Sequence, residues 1–366
     1  MAAPPVVLGL DYGGTKIAAA VADLAGNRLA STTTDSGGAL GAQASFARGI
    51  QVARDLLAAT APGSDPVAVG VSTFGIPFDD RVELAPAIDG WGQLAMGREL
   101  RAAFPRSQIR MATDAKAAAQ AEVRWGVLAD RDPAVYLNLG TGLAAALVIG
   151  GRVVSGINGA AGEMGYNLRS VADLGLPLDR RVMLEQIVSG QALARRAMKD
   201  EEARQLTAAD VFAAAASDPE LDGLVDDFVD ELAFHLVNLA ILVNPARIAV
   251  GGGIVRSWAR IRPRLQQALR AGSPFPPELV VAHFPYDAPL LGAVAIAVDA
   301  AQGNDAAPAG EASQPRRDAL SENALSENAL PENALSQDAL SQNPDPQNPQ
   351  PQDALPRDAI NTGTLT

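Results

Sequence analysis

An α/β protein of two facing lobes with a cleft between them is predicted by three features of the chain. Two glycine turns, Gly13-Gly14 and Gly140-Thr141-Gly142, sit in matching surroundings, each following a short apolar strand. Strand-like and helix-like segments alternate through both halves, the pattern of layered α/β folds. A further strand runs into a third glycine turn, Gly251-Gly252-Gly253.

Taken in order, Val6 to Leu10 is an apolar strand that leads into Asp11-Tyr12-Gly13-Gly14-Thr15-Lys16. Ile17 to Val21 and Arg28 to Thr33 continue the meander about the tight turn Ala25-Gly26-Asn27. The same order returns later: strand Val135 to Leu139, the glycine turn, strand Leu143 to Ile149, the turn Gly150-Gly151, and strand Arg152 to Ser155. The repetition reads as an internal duplication. Between the two meanders, Gln43 to Ala59 has helical spacing and Val67 to Val71 is a buried strand. That strand runs into a loop with ligand potential, Ser72 to Pro77, which contains Thr73 and Gly75. Leu100 to Phe104 closes a helix, Ile109 to Met111 is a strand, and Thr113 or Asp114 caps an alanine-rich helix through Glu122.

The second half carries a loop too rich in glycine to be an element interior, Gly156 to Tyr166, with Glu163 within it. Helices are expected at Arg181 to Met198, Ala208 to Ala216 and Asp226 to Val243, then a strand at Arg247 to Val250. These elements divide into an N-terminal lobe over 1–115 and a C-terminal lobe over 116–302, whose last helix is expected to return to the first lobe.

Composition narrows the function. The 366 residues are 48% hydrophobic, enough for two cores, and no apolar run reaches the length of a membrane span. Met1 to Pro5 carries no basic residue ahead of a strand the fold needs, so no leader is expected and a cytoplasmic location follows. With no cysteine and two isolated histidines, disulfides, thiol catalysis and a cysteine-based zinc site drop out, leaving oxygen-bound Mg²⁺. A net charge of −13 without a Lys/Arg block argues against nucleic acid as a partner. From Gly303 onward the chain holds ten Asp/Glu, three Arg, eight prolines and five-residue repeats such as Ser321-Glu322-Asn323-Ala324-Leu325. One leucine per repeat cannot offset ordering entropy, so 303–366 is expected to be disordered, with a weak docking tail as the functional alternative.

A single Gly-Gly pair is ordinarily a hairpin turn. Three glycine turns in matched context suit a nucleotide site, because backbone can then approach phosphate oxygens and successive N–H groups form an anion-binding nest.

The ordered motifs Asp11 to Lys16, Ala85 to Trp91, Thr113-Asp114-Ala115-Lys116-Ala117-Ala118, Leu139 to Gly142, Gly159 to Tyr166, Leu184-Glu185, Asn244-Pro245 and Gly251 to Gly253 make the chain resemble the ROK family of sugar kinases and related repressors, within the actin/hexokinase-like superfamily. The resemblance spans roughly residues 6 to 300. It implies ATP-dependent phosphoryl transfer to a hydroxyl of a sugar-like substrate held between the lobes, with Asp114 as catalytic base; the plain alternative for Asp114 is a helix cap. It further implies that Asp11 holds Mg²⁺ through water, and that Gly13, Gly14, Thr15, Lys16, Gly140, Thr141 and Gly142 cradle phosphates. Gly251, Gly252 and Gly253 would lie against the adenosine. Expected acceptor contacts are Thr73, Gly75, Thr113, Asp114, Glu163, Tyr166 and Glu185, the two glutamates accepting from ring hydroxyls. Glu185 has an alternative reading as a solvated surface residue. Homodimers are common in the family.

The chain departs from the family pattern in its acceptor shell. Tyr166 stands where the sugar kinases usually have His, and the stretch to Met183 lacks the cysteine cluster that binds structural zinc, so packing around Leu174, Leu176 and Leu178 is expected to brace that loop. Ala87, Thr113 and Lys116 replace three common Asn. Missing polar contacts disfavour glucose. The expected acceptor is therefore a different polyhydroxylated ring; among the branches of the resembling family this implies the C7-cyclitol kinases, which phosphorylate the hydroxymethyl group of a valiolone- or valienone-like ring, with a glucokinase-type hexose kinase as the alternative. A repressor is disfavoured because the phosphate motif begins at Asp11 and the body is acidic. A non-catalytic ligand-binding or scaffolding protein is the remaining class.

Overall fold

A computed structural model describes residues 4–85, 87–198 and 206–304. The expectation of a disordered tail over 303–366 lies, from residue 305 onward, outside the described residues. The first sheet is built from β1 (Val6–Tyr12), β2 (Lys16–Asp23) and β3 (Arg28–Asp35), an antiparallel meander. After α1 (Ala42–Thr60), β4 (Ala68–Thr73) adds parallel to β1. A small hairpin of β5 (Ile76–Pro77) and β6 (Val82–Glu83) and helix α2 (Met96–Ala103) lead to β7 (Gln108–Thr113), which closes the order β3-β2-β1-β4-β7.

Helix α3 (Asp114–Trp125) follows β7 without a loop. The second sheet repeats the plan with β8 (Ala134–Leu139), β9 (Leu143–Ile149) and β10 (Arg152–Val153). Helices α4 (Gly190–Ala197), α5 (Ala208–Ala214) and α6 (Pro219–Val243) come next, then β11 (Arg247–Gly251) parallel to β8. Helix α7 (Trp258–Gly272), β12 (Glu278–Val281) and α8 (Ala288–Ala301) complete the described chain, with sheet order β10-β9-β8-β11-β12. The matched order of the two sheets is the repeat seen in the sequence.

Helix α8 packs on the first sheet, with Leu290, Val294, Ala297 and Val298 forming one apolar cluster with Val7, Ala20, Ala22 and Ala68. Glycine allows the approach: a Cβ on Gly9 would lie 2.7 Å from Val294 Cγ2, and one on Gly70 would overlap the carbonyl of Ala293.

Two expected elements differ. The single helix expected over Arg181 to Met198 is broken: a short 3₁₀ turn at Leu184–Gln186 comes first, and α4 starts only at Gly190, where the Ser189 hydroxyl accepts from Ala192 N–H at 3.1 Å. Helix α6 begins earlier than expected because Asp218 accepts from the N–H groups of Glu220 and Leu221 and Pro219 opens the first turn. Nor do Leu174, Leu176 and Leu178 brace the loop after Tyr166, since all three are exposed. Polar ties hold it instead: Arg169 Nε donates to Glu231 Oε1 at 2.6 Å, and Arg181 Nη2 to the Tyr166 carbonyl at 2.7 Å. Among the described residues no helix is long and apolar enough to cross a membrane.

Candidate active site

The parallel strands β1, β4 and β7 end together, which sets Asp11 beside Ser72 and Thr73 beside Thr113 in register. Carboxyl ends of parallel strands are where open α/β sheets bind ligands. Asp11 Oδ1 accepts from the Ser72 hydroxyl at 2.7 Å. Burial pushes the Asp11 carboxyl up to about 7; the Ser72 hydrogen bond opposes this rise and the charge of Asp114 adds to it.

Thr113, not Asp114, is the N-cap of α3: its hydroxyl accepts from Lys116 N–H at 3.4 Å. Asp114 therefore occupies the first helical position, where Ala115 N–H binds its Oδ1 at 2.7 Å and the positive end of the helix faces a carboxylate. Burial raises its pKa, the Ala115 N–H and Lys116 lower it, and Glu185 raises it. Lys116 is 4% exposed and reaches Glu163 Oε1 at 3.6 Å. Burial lowers the pKa of Lys116 and raises that of Glu163, each charge opposing the other's shift.

Glu163 precedes the 3₁₀ turn Met164–Tyr166, and Glu185 lies in the turn Leu184–Gln186 that packs beside it. Although Glu185 is exposed, its Oε2 accepts from Leu143 N–H at 2.8 Å, and a Cβ on Gly142 would come within 2.5 Å of that oxygen. Glycine at 142 thus lets the carboxylate close onto the second glycine turn. Tyr166 is half-buried, and burial raises its pKa with Glu185 and Glu163 acting the same way.

The glycine turns differ in what they leave open. Gly13 N–H closes its hairpin onto the Lys16 carbonyl at 2.9 Å, while Gly14, Thr15 and Lys16 are exposed. Ala87 flanks this turn, its Cβ lying 3.5 Å from where one on Gly14 would stand. In the second lobe Gly140 and Thr141 accept from the N–H groups of Gly190 and Gln191 at the start of α4, at 2.7 and 3.4 Å. Gly252, at φ 90°, packs against the Leu139 carbonyl, and Gly251 against the Tyr136 hydroxyl, so both are structurally obligatory. At Gly253 a Cβ would meet nothing within 4 Å.

Two expected acceptor contacts have structural roles at the edge of this site. Thr73 is fully buried, its Oγ1 accepting from Trp91 Nε1 at 3.2 Å and donating to the Phe74 carbonyl at 3.1 Å, so its hydroxyl is spent holding an aromatic cluster. Gly75 has φ 76° and packs against Ala85 and the Glu83 carbonyl, a turn role. Lys116 has a place here that its sequence context, a replaced Asn, does not reveal: nothing local tells that its ammonium is buried against a glutamate 47 positions away.

Asp11 offers one carboxylate with one oxygen already bonded, and among the described residues no group of three or more His, Cys, Asp or Glu is gathered for a metal. That donor set fits Mg²⁺ held through water and nucleotide phosphates rather than in a protein cage. With its pKa raised, Asp11 costs stability as it ionises, so its own contribution to the stability of the free protein falls as pH climbs from about 4 to about 7. Asp11→Asn is expected to raise unfolding free energy at pH 8 by about 2 kcal/mol, measured by urea denaturation, and to flatten that pH dependence; an unchanged midpoint at pH 8 would refute it.

Comparison with known proteins agrees with the layout. The chain is 32% identical to the glucokinase of Streptomyces coelicolor over 275 residues, 68% of this chain and 82% of that one. It is 29% identical to the kanosamine kinase of Amycolatopsis mediterranei over 276 residues, 71% of this chain and 84% of that one. The ROK family glucokinase of Streptomyces griseus, solved in complex with glucose and AMPPNP, superposes with a TM-score of 0.64 at 28% identity, over 80% of this chain and 99% of that one. The model of the ROK family matches residues 7–300, and the chain belongs to that family.

Proposed function

We propose that the protein is an ATP-dependent kinase that transfers the γ-phosphoryl group to a primary hydroxyl of a sugar-like ring. The observation that carries this reading is Asp114: a buried carboxylate at the first position of α3, pinned by Ala115 N–H, at the strand ends that also carry Asp11. Relatives named for the phosphorylation of glucose and of kanosamine support a sugar-like acceptor.

In this reading Asp114 takes the proton of the attacking hydroxyl as its oxygen approaches the γ-phosphorus. Glu163 and Glu185 accept from other ring hydroxyls, and Tyr166 presents its own hydroxyl beside them. Exposed Gly14, Thr15 and Lys16 on one lobe and the Gly140-Thr141-Gly142 turn on the other receive the phosphates, with Gly253 open to the nucleoside. Asp11 would hold the water shell of a Mg²⁺ ion, which when bound would supply positive charge to the transferring phosphates.

Among acceptors the reading favours C7-cyclitols of the valiolone type over glucose, because Ala87, Thr113 and Lys116 stand where the family's sugar kinases usually carry Asn, and Thr113 caps α3. Glucose is the second reading, favoured by the glucokinase relatives. ATP consumption with Mg²⁺ across glucose, mannose, N-acetyl sugars and valiolone-type cyclitols tests it. Turnover on a cyclitol alone is the expected result; strong turnover on glucose would overturn the cyclitol assignment, and silence on every acceptor would overturn the kinase.

The double substitution Ala87→Asn and Tyr166→His is expected to raise kcat/KM for glucose relative to the cyclitol by about tenfold, as one or two restored hydrogen bonds provide. An unmoved ratio would place both positions outside the acceptor site.

A further inference from the structure

A cavity of about 470 Å³ opens beside the site, between the end of α8, strand β7, helix α3 and the β9–β10 hairpin. Thr113 and Lys116 belong to both, but Asp11, Asp114 and the three glycine turns do not line it. The transfer chemistry above makes no use of this space.

Part of its wall is cationic. Among the described residues Lys116 and Arg152 line it as cations, and the acid there, Asp299, is engaged by Arg124 Nη1 at 2.5 Å and by Gln120 Nε2 at 2.7 Å. Lys116 and Arg152, beside a carboxylate that is already engaged, give this concave place a cationic side in a chain of net charge −13. Lys116 is the decisive member. Its ammonium is more than nine-tenths buried and makes no hydrogen bond, the nearest acid being Glu163 Oε1 at 3.6 Å. A buried ammonium with uncommitted donors bears a desolvation cost that a single longer-range ion pair does not offset. An anionic oxygen entering the cavity supplies the missing hydrogen bonds, and Arg152 and Ser155 on the opposite hairpin line the same space.

We propose that this cavity is an anion-binding subsite adjoining the acceptor position, in which Lys116 and Arg152 hold a carboxylate or phosphate group. The group arrives either as an acidic substituent of the acceptor or as a separate small anion. Binding needs no phosphoryl transfer, so the subsite and the kinase reading stand or fall separately.

The test is calorimetric titration of the full chain, its nucleotide site saturated with ADP and Mg²⁺, with inorganic phosphate, glucuronate and glucose. Wild type is expected to bind phosphate or glucuronate, with Kd raised about tenfold in Lys116→Met and severalfold in Arg152→Ala. Arg152 is exposed on the hairpin, so that variant keeps the test valid if Lys116→Met misfolds. Glucuronate binding well above both glucose and phosphate assigns the anion to the acceptor; phosphate binding that leaves glucose binding intact assigns it to a separate ligand. Absence of anion binding in wild type, or affinity unmoved in both variants, overturns the subsite whether or not the protein turns over ATP.

Discussion

Asp114→Asn is expected to lower turnover about a thousandfold or more while leaving ADP affinity within about twofold, as measured by steady-state kinetics and calorimetry. The amide keeps the size of the side chain and can still accept from Ala115 N–H, so α3 stays in place and only the proton acceptor is lost. The same group sets an expected pH profile. Burial raises the Asp114 pKa, so kcat in the wild type should climb as the carboxylate ionises, through a range above that of an ordinary aspartate. Removing the Lys116 cation should move that limb to still higher pH, because Lys116 opposes the rise. Turnover of Asp114→Asn within about tenfold of wild type would remove the residue from the base role and leave it as a capping neighbour of Thr113.

The residues that define this site differ in how openly the sequence declares them. Glycine turns after apolar strands are legible because the constraint is local: a backbone that doubles back beside Asp11 or Leu139 needs residues without a Cβ, and the strand before it has a short-range pattern. Asp114 is legible for the same reason, since a β-strand, a Thr and an alanine-rich run together predict a helix start. What was illegible depends on contacts across the chain. Thr73 ends β4 at the edge where binding residues sit, yet its hydroxyl is taken by Trp91, 18 positions on. A helix over Arg181 to Met198 satisfies local propensity, but Ser189 and Gly190 start a new helix so that Gly190 N–H can reach the Gly140 carbonyl at 2.7 Å. The leucines at 174, 176 and 178 look like a brace and are exposed, while Arg169 and Arg181 hold the loop from charge positions that carry no periodic signal.

Gly292→Ala is expected to destabilise the fold by about 3 kcal/mol or more, the largest effect foreseen for a single methyl group in this protein. A Cβ there would overlap the backbone carbonyl of Ala117 in α3, and a carbonyl in a helix cannot swing aside as a flexible side chain does. Gly70→Ala should behave alike, because its Cβ would overlap the Ala293 carbonyl on the other side of α8. Helix α8 is thus pressed between β4 and α3 by glycines on both contacts, and α3 carries Asp114 and Lys116. Displacing it by even part of an ångström moves the proposed base relative to Asp11, so turnover should fall in the fraction that remains folded. Gly223→Ala is the matched control: it lies in α6 with nothing within 4 Å of its Cβ, and there alanine should stabilise by about 0.5–1 kcal/mol through helix propensity. Urea midpoints for the three variants separate the effects. If Gly292→Ala unfolds within about 1 kcal/mol of wild type, α8 can retreat from α3 without cost, and the rigidity inferred for the floor of the site is not imposed by that contact.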